Sequence, residues 1–124
     1  LIFTATDHVL SAAIPVDKIA AHYAYAVSIQ TQRNDGDPAK FIRFARRAVK
    51  AVRAANPKVQ VMIGLAPDAS GHPVTAADIV REYWATYSLV DGFWLNSNAW
   101  GNGTGCAPVG CPKVSDKFLA DIRF

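Results

Sequence analysis

Four short apolar stretches of the chain, Leu1 to Thr6, Ala24 to Gln30, Val59 to Ala66 and Asp91 to Asn96, read as β-strands, and the last three alternate apolar residues with small or polar ones. Between them the period lengthens to that of a helix. Asp37 followed by Pro38 predicts an N-cap with proline at the first helical position, and Asn56-Pro57 predicts where that helix ends. Thr75 with Asp78 three residues on predicts a capping box, opening a helix whose apolar stripe is Ile79, Val80, Tyr83, Trp84 and Tyr87. "PVDKIAAHY", from Pro15 to Tyr23, reads as a shorter helix, and Ser115 opens a last one carrying Phe118, Leu119 and Ile122.

Strand and helix therefore alternate four times, which predicts an α/β fold of parallel strands joined by right-handed crossovers. Two architectures fit: about four βα units forming half of a (βα)8 barrel, or a small doubly wound sheet. The faces of the strands favour the first. Val27 and Ile29, then Val59, Val61, Ile63 and Leu65, then Phe93 and Leu95 make one face oily. Ala26, Ser28, Gln30 and Gln32, then Gln60, Met62, Gly64 and Ala66, then Gly92, Trp94, Asn96 and Asn98 make the other small or polar. A doubly wound sheet is covered by helices on both faces and prefers continuous aliphatic runs. A barrel packs helices on one face only and keeps polar groups at its upper interior.

The whole chain, 1–124, is then one α/β domain or the carboxyl-terminal half of a barrel domain. Half a barrel exposes two strand edges, so the missing half or a partner chain is expected to cover them. Leu1 is not an ordinary translation start and the sole methionine, Met62, is internal, which points to a piece of a longer protein.

Composition sets outer limits. Of the 124 residues, 51% are hydrophobic and 19% charged, which describes a folded domain and not a disordered one. No apolar run approaches the roughly 20 residues that cross a bilayer, so no membrane partner is expected. The net charge of +3 invites a nucleic-acid reading. Much of the excess, however, sits on Lys40, Arg43, Arg47 and Lys50, opposite Phe41, Ala45, Ala48, Val49 and Val52, as the solvated face of an amphipathic helix. Without aromatic residues interleaved among those charges, nucleic acid is disfavoured as a partner.

Cys106 and Cys111 are separated by four residues, which does not fit a thioredoxin-type motif, and His8, His22 and His72 lack zinc-ligand spacing. No metal and no cofactor are expected. A disulfide pinning a glycine-rich loop is the leading reading, with two free thiols as the alternative, and it implies a secreted protein.

In parallel βα folds, functional groups gather where strands end and the following loops begin. That rule selects Asp7 and His8, then Gln30, Gln32, Arg33 and Asp35, then Asp68, then Trp94, Asn96, Asn98 and Trp100. Amides with flat indole rings suit sugars, which offer hydroxyl edges and C–H faces together. Gln30, Gln32, Trp94, Asn96, Asn98 and Trp100 are accordingly the candidate sugar-binding residues, although Trp94 also fits a place in the core. Glycoside hydrolysis uses two carboxylates about 5 to 10 Å apart. Asp7 and Asp68 are the catalytic candidates, with Asp68 in "PDASGHP" also readable as a turn residue. Asp35 in "NDGD" reads as turn chemistry and Asp37 as a helix cap.

"VQVMIGLAP" and "VDGFWLN" with the helix between them resemble the last two strands of chitinase-like (βα)8 glycoside hydrolases. The resemblance covers the second half of the chain. It implies that Trp94, near the end of the closing strand, floors a sugar site. The family's acidic run of the form DGxxxDxDxE is missing, since no carboxylate follows Asp91-Gly92. The expected function is a secreted barrel protein that binds a polysaccharide, or hydrolyses one with catalytic carboxylates partly outside this sequence. The alternative is a non-catalytic structural or interaction module on the same scaffold.

Overall fold

A computed structural model describes residues 2–6, 22–31, 34–66, 68–69 and 72–95, with backbone only at 2–6, 68–69 and 72–73. Strand β1 spans Ile2–Thr6, β2 Ala26–Gln30, β3 Gln60–Leu65 and β6 Gly92–Leu95. They form one sheet in the order β1-β2-β3-β6, and every neighbouring pair is parallel. Helix α1, Pro38–Ala55, joins β2 to β3, and helix α2, Ala76–Thr86, joins β3 to β6 through a single 3-10 turn, Tyr87–Leu89. The fold is thus α/β with a parallel sheet, as the alternating pattern predicts. Two βα units lie within the described residues. The predicted helices over Pro15–Tyr23 and from Ser115 lie outside them, apart from the last two residues of the first.

Both helices start where their capping residues dictate. Asp37 stands outside the helical region, and its carboxylate accepts from the Lys40 N–H at 3.0 Å, with Pro38 next to it filling a position that needs no donor. At the far end the Asn56 N–H donates to the Val52 carbonyl at 3.0 Å, and the Asn56 side chain then accepts from Lys58. Thr75 and Asp78 form the predicted capping box, each side chain accepting from the other's backbone N–H at 3.1 Å.

The oily face of the sheet is the core face. Val27, Ile29, Val61, Ile63 and Leu65 are fully buried there against Phe41, Ala45, Ala48 and Val52 of α1 and Ile79 and Tyr83 of α2, with Phe93 and Leu95 packed at the margin. The strands step across the sheet in one direction. Crossovers of one hand then place both helices on the same side, and α1 does pack on α2 there.

Two features differ from the sequence-based expectation. Trp84 and Tyr87, predicted on the apolar stripe of α2, are 50% and 42% exposed, while Glu82 and Thr86 are buried with Ile79 and Tyr83. The stripe follows 79, 82, 83 and 86, the i, i+3, i+4, i+7 spacing of a helix face; choosing residues by hydrophobicity alone rotated it. Asp68, expected in a turn, belongs instead to a two-residue strand β4, Asp68–Ala69, paired antiparallel with β5, His72–Pro73. This small antiparallel pair lies in the β3–α2 connection.

Asp91 sets the start of β6. Its carboxylate accepts from the Val61 N–H at 2.8 Å and from Arg53 at 3.0 Å, while its own N–H donates to the Val61 carbonyl at 2.8 Å. The closing strand is therefore locked in register against β3, with Gly64 opposite Trp94.

Candidate functional site

Side chains on the face away from the helices alternate with the core residues. Ser28 and Gln30 on β2, Met62 and Gly64 on β3, and Gly92 and Trp94 on β6 share it by parity. Register aligns them in rows. One row contains Ser28, Met62 and Gly92. The next, nearer the carboxyl ends, contains Gln30, Gly64 and Trp94, because Ile29 pairs with Ile63 and Gly64 with Trp94.

Gly64 and Trp94 are mutually dependent. A Cβ added at Gly64 would lie 2.6 Å from Cε2 and 2.8 Å from Cη2 of the indole. The Trp94 ring therefore lies across the bare backbone of the neighbouring strand, and glycine is required by this close approach. Trp94 is half-buried, and its Nε1 is buried with no acceptor among the described residues. Gln30, also half-buried, stands in the same row.

The connection from β2 to α1 is stitched to the same end of β3. The buried Thr31 hydroxyl donates to the Gly64 carbonyl. Asn34 and Asp37 N–H groups close the turn onto Thr31 and Asn34 carbonyls, each at 2.8 Å. Inside that turn the fully buried Asp35 accepts from the Ala66 N–H at 2.8 Å through one oxygen, and its other oxygen has no partner among the described residues. Asp35 is thus more than the turn residue it reads as in sequence. It ties the loop to the backbone just beyond β3.

Glu82 is a second buried acidic residue. It is fully buried on the packed side of α2, and neither carboxyl oxygen has a hydrogen-bond partner among the described residues. Burial, and then the charges of Asp35, Asp78 and Asp37, push its pKa up to about 9. Burial raises Asp35 to about 7 against the opposing effect of the Ala66 N–H. Burial thus favours the protonated form of both groups. Nothing in the sequence flags Asp35 or Glu82 as buried, beyond the phase of the α2 stripe in which Glu82 stands three residues after Ile79.

The sequence-predicted candidates divide accordingly. Gln30 and Trp94 are brought to one row on one face. The backbone of Asp68 lies in the β4–β5 hairpin. Asp7, Gln32, Asn96, Asn98, Trp100 and the cysteines Cys106 and Cys111 lie outside the described residues. Among the described residues no group of three or more histidine, cysteine, aspartate or glutamate side chains could hold a metal ion, and no helix is long and apolar enough to cross a membrane.

These observations define the chain as a parallel α/β protein with helices packed together on one side of its sheet and a tryptophan–glycine pair on the other. No family model, no characterised protein and no solved structure matches it.

Proposed function

We propose that this chain is the carboxyl-terminal half of a chitinase-like (βα)8 barrel, and that the barrel binds a polysaccharide at the carboxyl ends of its strands. The observation that carries the proposal is the Trp94 ring laid across Gly64, in one row with Gln30 and on the face free of helices. An indole held flat on glycine backbone offers an apolar plate to the C–H face of a sugar, and an adjacent amide offers donor and acceptor to its hydroxyls. The winding supports the barrel: consecutive strands are neighbours and step in one direction, whereas a doubly wound sheet reverses at a switch point.

Binding is favoured over hydrolysis by the make-up of that face. From β2 to β6 its described side chains are Ala26, Ser28, Gln30, Gln60, Met62, Gly64, Ala66, Gly92 and Trp94, and none is a carboxylate. Asp35 and Glu82 are fully enclosed. A hydrolase would draw its acids from Asp7, Asp68 or the other half of the barrel. Gln32, Asn96, Asn98 and Trp100 would extend the sugar site, a Cys106–Cys111 disulfide would stiffen the adjoining loop, and secretion follows from that bond.

Calorimetric titration with chitin and glucan oligomers tests the reading, using a chain that carries both barrel halves. Trp94→Ala is expected to weaken binding by about 1 to 3 kcal/mol, as for other large aromatic anchors. Absence of binding to every oligomer by the unaltered protein refutes it.

A further inference from the structure

Helix α1 carries Lys40, Arg43, Arg46, Arg47, Lys50 and Arg53 and no acidic residue at all. Its apolar side is locked into the core through Phe41, Phe44, Ala45, Ala48, Val49 and Val52. The helix consequently cannot roll, and its basic side is held outward. Lys40, Arg43, Arg46, Arg47 and Lys50 are all exposed. At 3.6 residues per turn these five project within about a third of the helix circumference, along about 15 Å of axis. Arg53 is anchored to Asp91, but none of the other five forms an ion pair among the described residues.

This arrangement opposes helix stability. Arg43 and Arg47, and Arg46 and Lys50, are like charges four residues apart, while Lys40 and Arg43, Arg43 and Arg46, and Arg47 and Lys50 are three apart; pairs at both spacings repel. An exposed helix face normally intersperses signs. A linear polyanion laid along α1 would relieve that repulsion.

The composition of the face selects among polyanions. No aromatic ring lies on the basic arc to stack the bases of a single strand. No asparagine or glutamine lies there to read adenine in a duplex groove, so a duplex could be held only through guanine edges or phosphates. No large apolar residue lies there to enter a bilayer, and the apolar side of the helix is already occupied. What is left is a row of cations, mostly guanidinium, a group whose fork fits carboxylate and similar oxyanions in a bidentate way.

We propose that the outer face of α1 binds an acidic polysaccharide carrying a carboxylate or sulfate on successive sugars. The surface lies on the helix side of the sheet, away from Trp94, and it does not depend on the sugar site proposed above.

The test is titration of the full chain with polygalacturonate and with heparin, whose relative affinities tell carboxylate from sulfate. Neutral dextran, a 20-base-pair DNA duplex and phosphatidylserine vesicles serve as the competing arms. Both acidic glycans, or one of them, should bind, with affinity falling on the order of tenfold or more between about 50 and 200 mM salt, as expected when several cations release counterions. Arg43→Gln with Arg47→Gln should weaken binding at least about tenfold without lowering Tm, because the substitution removes repulsion within the helix. The proposal is overturned if no acidic glycan binds, if excess dextran displaces the acidic glycan, or if duplex or vesicles bind more tightly at the same salt. It is equally overturned if the double arginine variant binds as the parent does.

Discussion

Glu82→Gln should convert a pH-sensitive protein into a less sensitive one. In the folded chain Glu82 ionises near 9 and Asp35 near 7, whereas in an unfolded chain both are ordinary carboxyls with values of 4.5 and 3.8. A folded pKa above the unfolded one means that the native state holds a proton the unfolded state has released. Stability is therefore greatest at acid pH and is lost as pH rises from the unfolded value to the folded one. Each proton so held gives a slope of about −1.4 kcal/mol per pH unit. Between pH 5 and 7 both groups contribute and the slope approaches about −2.7 kcal/mol per unit; between 7 and 9 Glu82 alone contributes. Against a total stability of about 5 to 15 kcal/mol for a domain, these are large changes. They are ceilings, because water entering beside an ionised Glu82 would relieve part of the burial.

The glutamine has nearly the shape of the protonated acid but no proton to lose. At pH 5 the variant should match the parent within about 1 kcal/mol, since both bury a neutral polar group without partners. By pH 7 it should be more stable than the parent by up to about 3 kcal/mol, and by pH 9 by up to about 6 kcal/mol. Chemical denaturation at unit steps from pH 5 to 9, followed by far-UV dichroism, measures the difference directly, provided the denaturant slope is the same in both proteins. Parallel stability curves across that range would refute the reasoning and mean that Glu82 ionises as an ordinary carboxyl.

Gly64→Ala should cost about 1 to 3 kcal/mol by driving a methyl into the Trp94 ring, and combining it with Trp94→Ala should recover part of that loss in a double-mutant cycle; strictly additive losses would mean that the ring does not rest on Gly64. Thr75→Ala removes one half of the capping box and should lower stability by about 1 kcal/mol in urea denaturation, with no change expected at pH-sensitive Glu82. Asp91→Asn keeps an acceptor for the Val61 N–H and loses only a pairing with Arg53 between side chains 35% and 44% exposed, so it should cost less than about 1 kcal/mol, whereas Asp91→Ala also strands that N–H and should cost about 1 to 3 kcal/mol. Equal losses from the two would place the stabilisation in the ion pair.

Strands β2 and β3 were legible because fully buried Val27, Ile29, Val61 and Ile63 alternate with small or polar residues, which writes a period of two into "AVSIQ" and "QVMIGL". The caps at Asp37 and Thr75 were legible because capping is local, made by residues three apart in sequence. The buried acids were not, and for the opposite reason. Whether "NDGD" closes a turn in water or is sealed inside depends on the end of β3, where Ala66, 31 residues along the chain, presents its N–H to Asp35. Glu82 is a stronger case: a glutamate in a helix is ordinarily solvated, and two aromatic neighbours in "EYWATY" attract the apolar stripe towards Trp84 and Tyr87. Only the packing of α2 on α1 and the sheet decides which side is sealed, and it seals the side with the acid.

The Trp94–Gly64 pair was half legible for the same reason. Alternation puts Trp94 on the small or polar face, but the residue it covers is fixed by register, and register is a tertiary property. Asp91 supplies it by holding both the N–H and, through its own N–H, the carbonyl of Val61. Three residues further along β6 the indole then falls on the one residue of β3 whose missing side chain leaves room for it. On the other side of Gly64 the Thr31 hydroxyl holds the carbonyl, and Asp35 holds Ala66 two residues on. The plate proposed to meet a sugar is thus positioned from below by the start of β6 and from above by the β2–α1 loop. A ligand that needs it flat would find it already so, with little ordering left to oppose binding.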